Sequence, residues 1–557
     1  MQPSPTPLRP RFHPHSRSLP QLRGAPLRLS RALLVASALA LPVGGGAAWA
    51  DTPVDMLVIA ARIDDIITLD PAQSFEPGGA DVDKNLYDRL FDFDPLDLSK
   101  GLQPSLAESW TVSDDGLTLT LTLREGVKFH SGNPVRAEDA AWSLQRAVKL
   151  DKTPAFILTQ FGLSADNVDE NVTADGNRLT IRLDRPYAPS FVLNCLTATV
   201  ASVVDKELVM QHAENGDFGN AWLATNDAGS GPYTLGAWQP GQAVQLLSFD
   251  DYWMGAPAMK RVIVRNIAES AAQRLQLERG DIDVARNLTP EDVAGVQGTD
   301  GLKVQDELRG RMVYLGMNQK DPLLSQPAVV RAIKHLVDYQ GMEDSFLKGQ
   351  WRTHQAIVPL GYLGEWTENP YGYEVEKARQ ILAGAGIDGG TITAMIPEGR
   401  EFADIAQALQ GSMAQVGLTL KIEQMTGAQH YDKYRAREVP LFIGLWGPDY
   451  ADPQTNVGTF AVNADNRDAA RLTGSLAWRN AYDVPADMQD MAKSAVVEQD
   501  AGKRAEIYRQ LQAEYQQVAP LMPMFQRVEQ TGLRQNVQNW TNGGSVAAVS
   551  YRQVTKD

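Results

Sequence analysis

An α/β fold is the class this sequence predicts, and three observations predict it. From Val375 to Trp446 helical and strand periodicities alternate with short connections, the pattern of βαβ units around an open parallel sheet. From Gln103 to Val148 a stretch of period two gives way to a helical one, so a separate strand-and-helix unit precedes it. The chain has 557 residues, 43% of them hydrophobic, which is enough for two or three domains with cores of their own.

The first fifty residues carry six Arg and no Lys, Asp or Glu. Arg28 and Arg31 precede an apolar run, Ala32 to Val43, too short to span a bilayer, and Ala48-Trp49-Ala50 supplies small residues in an A-x-A arrangement. Residues 1–50 therefore read as a signal peptide cleaved before Asp51. A start site further along would also account for the long segment Gln2 to Arg23, and leaves export unchanged. No Arg-Arg pair is present and no cysteine lies at the new N-terminus, so the expectation is Sec export to the periplasm without a lipid anchor. Without that leader, 46 basic residues face 68 acidic ones, a net charge of −22. Such acidity argues against nucleic-acid and anionic-membrane surfaces, which call for basic patches. The single Cys195 excludes an internal disulfide, so stability must come from packing.

Met56-Leu57-Val58-Ile59-Ala60 gives the first strand, and after the Asp70-Pro71 turn a helix is expected to hold Asn85, Leu86, Tyr87, Leu90 and Phe91. Leu117, Leu119, Leu121 and Leu123 alternate with threonines behind an Asp-Asp-Gly turn, a hairpin with one buried face. Ala137, Ala141, Leu144 and Val148 then recur at helical spacing, and Leu179 to Leu183 alternates again. Gly229-Ser230-Gly231 is not a nucleophile elbow, because Ala228 stands where G-x-S-x-G requires glycine; tight-turn glycines beside a strand are the better reading. Val329, Ala332, Ile333, Leu336 and Val337 share a helical face. The alternating region follows: helix Val375 to Ala383, strand Thr391 to Ile396, helix Phe402 to Val416, strand Leu418 to Glu423, helix Gln429 to Arg437 and strand Leu441 to Trp446. Gly384 to Gly389 matches GxGxxG, yet it follows a helix and precedes a strand, the reverse of a dinucleotide site, so its glycines are assigned to a helix C-cap. A helix from Asp500 to Val518 and a strand from Pro520 to Phe525 close the chain.

Ligands of an open α/β sheet bind outside the carboxyl ends of its strands. Two loops leave such ends, Pro397-Glu398-Gly399-Arg400 and Gly447 to Pro453. A guanidinium and a carboxylate on one wall suit a zwitterion, Arg holding a carboxylate and Asp an ammonium, as at the termini of a peptide. In the plainer reading Arg400 is a surface residue at a helix start and Asp452-Pro453 a turn. The histidines are scattered, with no HExxH pair, Walker motif, CxxC or Cys-His set, so neither a metal nor a catalytic centre is expected.

The segments LAESWTVSDDG (Leu106 to Gly116) and LREGVKFHSGNPVRAEDAAWSLQR (Leu123 to Arg146) resemble the signature region of the family 5 extracytoplasmic solute-binding proteins of peptide, nickel and related ABC importers. The resemblance implies a two-lobed periplasmic binding protein fold with an additional small domain, a three-domain, class II-type arrangement with the ligand in the cleft between lobes. It divides the chain into a first lobe of residues 51–92, 196–308 and 520–557, a small domain of 93–195 and a second lobe of 309–519. It puts Asn318 at the end of a cleft-crossing strand. It also matches Trp446-x-x-Asp449-Tyr450-x-x-Pro453 to an ammonium-binding loop, with Asp449 on the ammonium and Trp446 and Tyr450 lining the pocket; Arg400 becomes the candidate for the carboxylate. The implied function is a monomeric, cofactor-free binding protein that delivers short peptides to a membrane permease. The alternatives are a non-peptide solute (opine, nickel chelate, haem or sugar) on the same fold, or a hydrolase.

Overall fold

The computed structural model describes residues 51–544 and 548–557, so the leader expected at 1–50 lies outside the described residues. Strand β1 (Met56–Ala61) is buried on both faces between parallel neighbours, as a continuous apolar run demands. The helix that follows is Pro77–Leu86, with Pro at its start. It ends earlier than its apolar spacing suggests: Tyr87 is already extended, and Phe91 belongs to β2 (Phe91–Phe93), paired with β3 (Leu102–Pro104). The reason is tertiary. The N–H of Gly231 takes the Leu86 carbonyl at 2.9 Å, and side chains on Gly229 or Gly231 would collide with the carbonyls of Leu86 and Asn85. These glycines serve close backbone approach.

The hairpin forms as its pattern dictates. β4 (Ala107–Val112) and β5 (Thr118–Leu123) are joined by a turn with Gly116 at φ +71°, and Leu119, Leu121 and Leu123 face inward. With β6 (Val172–Asp175) and β7 (Arg178–Arg182) they make a four-stranded antiparallel sheet in the order β4-β5-β7-β6. Helix Ala137–Leu150 covers it, adding Leu144 and Val148 to the core.

All remaining long strands join one eleven-stranded sheet. β8 (Tyr233–Gln239), β9 (Ala243–Ser248), β10 (Arg261–Asn266) and β11 (Val284–Ala285) surround β1 at one end. β12 (Leu302–Met317) runs through the middle, and the short β13 (Trp351–Thr353) pairs with a later strand, off the main strand order. At the other end β14 (Gly390–Pro397) lies parallel to both β15 (Leu418–Met425) and β16 (Leu441–Trp446), with helices Arg400–Ala414 and Gly427–Arg435 as crossovers, the βαβ arrangement read from the sequence. β17 (Leu521–Arg534) returns antiparallel to β12, and the strand order is β15-β14-β16-β12-β17-β11-β1-β10-β9-β8. The GxGxxG segment is a C-cap: Gly386 has φ +69°, its N–H reaches the Ala383 carbonyl and that of Ile387 the Leu382 carbonyl.

Only β12 and β17 run the length between the two ends of this sheet, and their pairing breaks in the middle. Leu308 faces Val528 and Met312 faces Gln526, so four steps on β12 are matched by two on β17. Three residues, Arg309-Gly310-Arg311, therefore face Arg527 alone, a surplus of two that bulges out of the ladder. A bulge re-aims the side chains it carries, and here two arginines are turned out of the sheet.

Candidate functional site

At the carboxyl end of β16 the chain runs through Gly447 to Pro453 into helix Gln454–Phe460. This loop carries two aspartates in opposite circumstances. Asp452 is gripped by both terminal nitrogens of Arg504 at 2.7 Å each, and both side chains are fully buried. Arg504 also donates to the Ala495 carbonyl and to Ser190, so the pair ties the loop to its surroundings. Asp449 has no such partner: the Thr455 hydroxyl lies 3.5 Å away, and no cation stands within 4 Å among the described residues. Burial pushes its carboxyl up to about 7, with Thr455 opposing the shift.

Asp449 and Tyr450 line a cavity of about 410 Å³. One wall comes from helix Pro77–Leu86 and the strand ends of the β1 side, and the floor is the bulge of β12 with the facing part of β17. The bulge puts Arg309, Gly310 and Arg311 on that floor together with Arg527 and Glu529 of β17. Glu529 accepts from Arg286 at 3.0 Å and lies 3.4 Å from Arg309, while Arg286 also holds Asp81 at 2.6 Å. Burial would raise the Glu529 carboxyl, but Arg286 and Arg309 outweigh it and hold the group below its ordinary value. A second cavity of about 480 Å³ shares Asp449 and Arg311 with the first, so these two side chains stand where both spaces meet. Arg311 is exposed to them and has no hydrogen bond or ion pair among the described residues.

The five residues singled out from the sequence fare differently. Asp449 and Tyr450 reach the cavity; the Tyr450 ring rests near Phe191 and its hydroxyl points to Gln160 at 3.4 Å. Trp446 sits just behind the loop, edge-on to Phe460, with its indole N–H buried and without a partner. Arg400 and Asn318 are not brought to the cavity. Arg400 is 77% exposed at the start of its helix, 3.5 Å from Asp404 and 3.7 Å from Glu291. Its strand, β14, is separated from the β12 floor by β16, and Arg400 is not among the residues that line the cavity. Asn318 fails for a reason of direction. β12 is antiparallel to β16, with Met317 opposite Leu441 and Met312 opposite Trp446; Asn318 therefore lies about 20 Å from the Trp446 end at ordinary strand rise. There its amide donates to the carbonyls of Arg437 and Val439 at 3.1 and 3.2 Å, capping the strand.

Sequence reasoning missed Arg311, Arg527, and the Asp452–Arg504 clamp. The signal for the first two was charge at alternate positions, Arg309 with Arg311 and Arg527 with Glu529, next to the apolar halves of their strands. Among the described residues no group of three or more His, Cys, Asp or Glu could hold a metal ion, and no helix is long and apolar enough to cross a membrane.

Comparison with known proteins gives consistent findings. The profile of the bacterial extracellular solute-binding proteins, family 5 middle, matches residues 101–468. The chain is 30% identical over 508 residues to a probable D,D-dipeptide-binding periplasmic protein of Escherichia coli, covering 90% of this chain and 94% of that one. It is 24% identical over 481 residues to a haem-binding protein of Haemophilus influenzae, covering 80% and 82%. Among solved structures, a periplasmic binding protein of Helicobacter pylori in complex with the peptide STSA superposes with a TM-score of 0.74 at 23% identity, over 90% of this chain and 98% of that one.

Proposed function

Since the chain belongs to family 5 of the bacterial extracellular solute-binding proteins, we propose that it captures short peptides and hands them to an ABC permease, Asp449 receiving the terminal ammonium and Arg311 the terminal carboxylate. One observation carries this reading: a carboxylate without a cation and a guanidinium without an anion line the same cavity. Each is a charge whose partner must come from outside, and together they are the complement of a zwitterion. No chemical step is involved, so the peptide leaves as it came.

The carboxylate role expected of Arg400 passes to Arg311, beside the Asp449 loop: a side chain on Gly447 would meet the Arg311 Nε at 4.0 Å. The ligand sits between a lobe formed by residues 51–92, 196–308 and 520–557 and a lobe of 309–519, with 93–195 as the small domain. Closure around it is driven only by its tighter binding to the closed arrangement. The protein works as an exported monomer, freed of residues 1–50 and unanchored.

The test is calorimetric titration of protein stripped of bound ligand by unfolding and refolding. Alanyl-alanine binds; its N-acetyl and C-amide derivatives, each lacking one terminal charge, bind at least about 30-fold more weakly. Equal binding of all three would overturn the reading, and so would recovery of cleaved peptide. The D,D-dipeptide and haem in the names of its relatives are the next ligands to titrate.

A further inference from the structure

A zwitterionic peptide uses one guanidinium, and this cavity offers more than one. Of the carboxylates facing it, Asp81 and Glu529 are held by Arg286 and Arg309, and Asp92 by Lys84, while Asp65 and Asp449 have no cation within 4 Å among the described residues. Four arginines on its walls, Arg62, Arg89, Arg311 and Arg527, have no carboxylate within 4 Å among the described residues. Arg311 is free of any partner. Arg527 makes only a ring contact, 5.2 Å from the centroid of Trp351. Arg89 is 5% exposed, touches only Thr199 at 3.3 Å, and its Nε is buried without a partner. Burial and the nearby Arg311 hold the Arg527 guanidinium below its ordinary value, against the pull of Glu401 and Glu529. Two like charges side by side on strands about 5 Å apart, neither in contact with a carboxylate, repel each other, and an anion lying across both relieves that repulsion.

Building on the peptide reading above, we propose that the ligand is an acidic peptide whose C-terminal residue bears a side-chain carboxylate, with Arg311 on the terminal carboxylate and Arg527 on that of the side chain. Two carboxylates on one residue are close enough to face neighbouring guanidiniums on β12 and β17, whereas a neutral dipeptide brings one anion to a floor built for two. Arg89 adds positive field at the same cavity. The preference follows from the charge left over after every internal pair is made, in a protein whose overall charge is strongly negative.

The experiment titrates refolded, ligand-free protein with three probes: alanyl-glutamate, alanyl-glutamine and glutarate. The first two differ by a single charge at nearly constant shape; the third carries both carboxylates without an ammonium. Alanyl-glutamate is expected to bind at least about tenfold tighter than alanyl-glutamine, with glutarate far weaker than either because Asp449 is left unmatched. In Arg527→Gln the ratio of the two peptides falls below about threefold, while Arg527→Lys keeps most of it. Equal or reversed affinities of the two peptides in the wild type overturn this inference and leave the peptide reading standing. Failure of both peptides to bind, with or without glutarate binding, overturns the peptide reading and this inference with it. A full preference retained in Arg527→Gln overturns the assignment to Arg527. Circular dichroism of each variant confirms its fold, and the wild-type ratio decides the preference even where a variant does not fold.

Discussion

Asp449 and Asp452 stand three residues apart on one loop, and only Asp452 has a cation. Asp452 and Arg504 form a two-pronged pair at 2.7 Å with no exposure to solvent. Asp70 and Arg146 repeat that arrangement under the small sheet, at 2.8 and 2.5 Å. Around the cavity the pattern is broken: Asp449 lacks a cation, and Arg311 and Arg527 lack an anion. Where this fold needs a backbone held, it pairs charges completely; at the cavity, pairs such as Arg286 with Asp81 and Glu529 stand beside unmatched charges of both signs. The unmatched groups are tolerable because the cavity admits water, and because Asp449 can take up a proton.

The contrast is broken most severely at the clamp. Asp452→Ala leaves the Arg504 guanidinium buried and uncompensated, and about 3–5 kcal/mol of stability is expected to be lost, read from urea unfolding. The same kind of change at Asp449 has the opposite sign. The folded-state pKa of Asp449, about 7, lies above the ordinary carboxylate value, so the empty protein loses stability as pH rises from about 4 through 7. Asp449→Asn removes that loss: thermal unfolding should show it about 4 kcal/mol more stable than the wild type at pH 8 and no different at pH 4. It also forfeits peptide binding by at least about 30-fold. A loss of stability at pH 8 would show that Asp449 is a structural charge like Asp452.

Binding sharpens the comparison further. A peptide ammonium requires Asp449 ionised, so below about pH 7 binding must expel a proton, and affinity should fall by up to about tenfold per pH unit. Proton release measured in two buffers of different ionisation heat checks the sign. The smallest effect is expected at Arg400, 77% exposed and loosely placed near Glu291 and Asp404. Arg400→Ala should change stability by no more than about 0.5 kcal/mol and leave dipeptide affinity intact; a large affinity loss would restore it to the site.

How much of this was legible in the chain follows the range of the interactions involved. The threonine and leucine alternation of Leu117 to Leu123, the helix at Ala137–Leu150 and the alternating units from Val375 to Trp446 were readable because each is written in the period of neighbouring side chains. The loop Gly447 to Pro453 was readable too, since its polar residues follow an apolar strand. The early end of helix Pro77–Leu86 was not: the carbonyl at Leu86 is claimed by Gly231, more than a hundred residues away in the chain.

By itself, then, the sequence determined the α/β class, the family resemblance, the acidic charge and the presence of Asp449 and Tyr450 on the loop after an apolar strand, all of them local in the chain. Tertiary structure alone decided which charges are spent and which remain. Arg311 and Arg527 are more than two hundred residues apart and become neighbours only because β12 and β17 pair across a bulge. Asn318 was excluded because antiparallel pairing carries the end of its strand away from the loop, and Arg400 because a whole strand intervenes. Whether an arginine binds a ligand depends on what already holds it, and that is set by contacts no local pattern records.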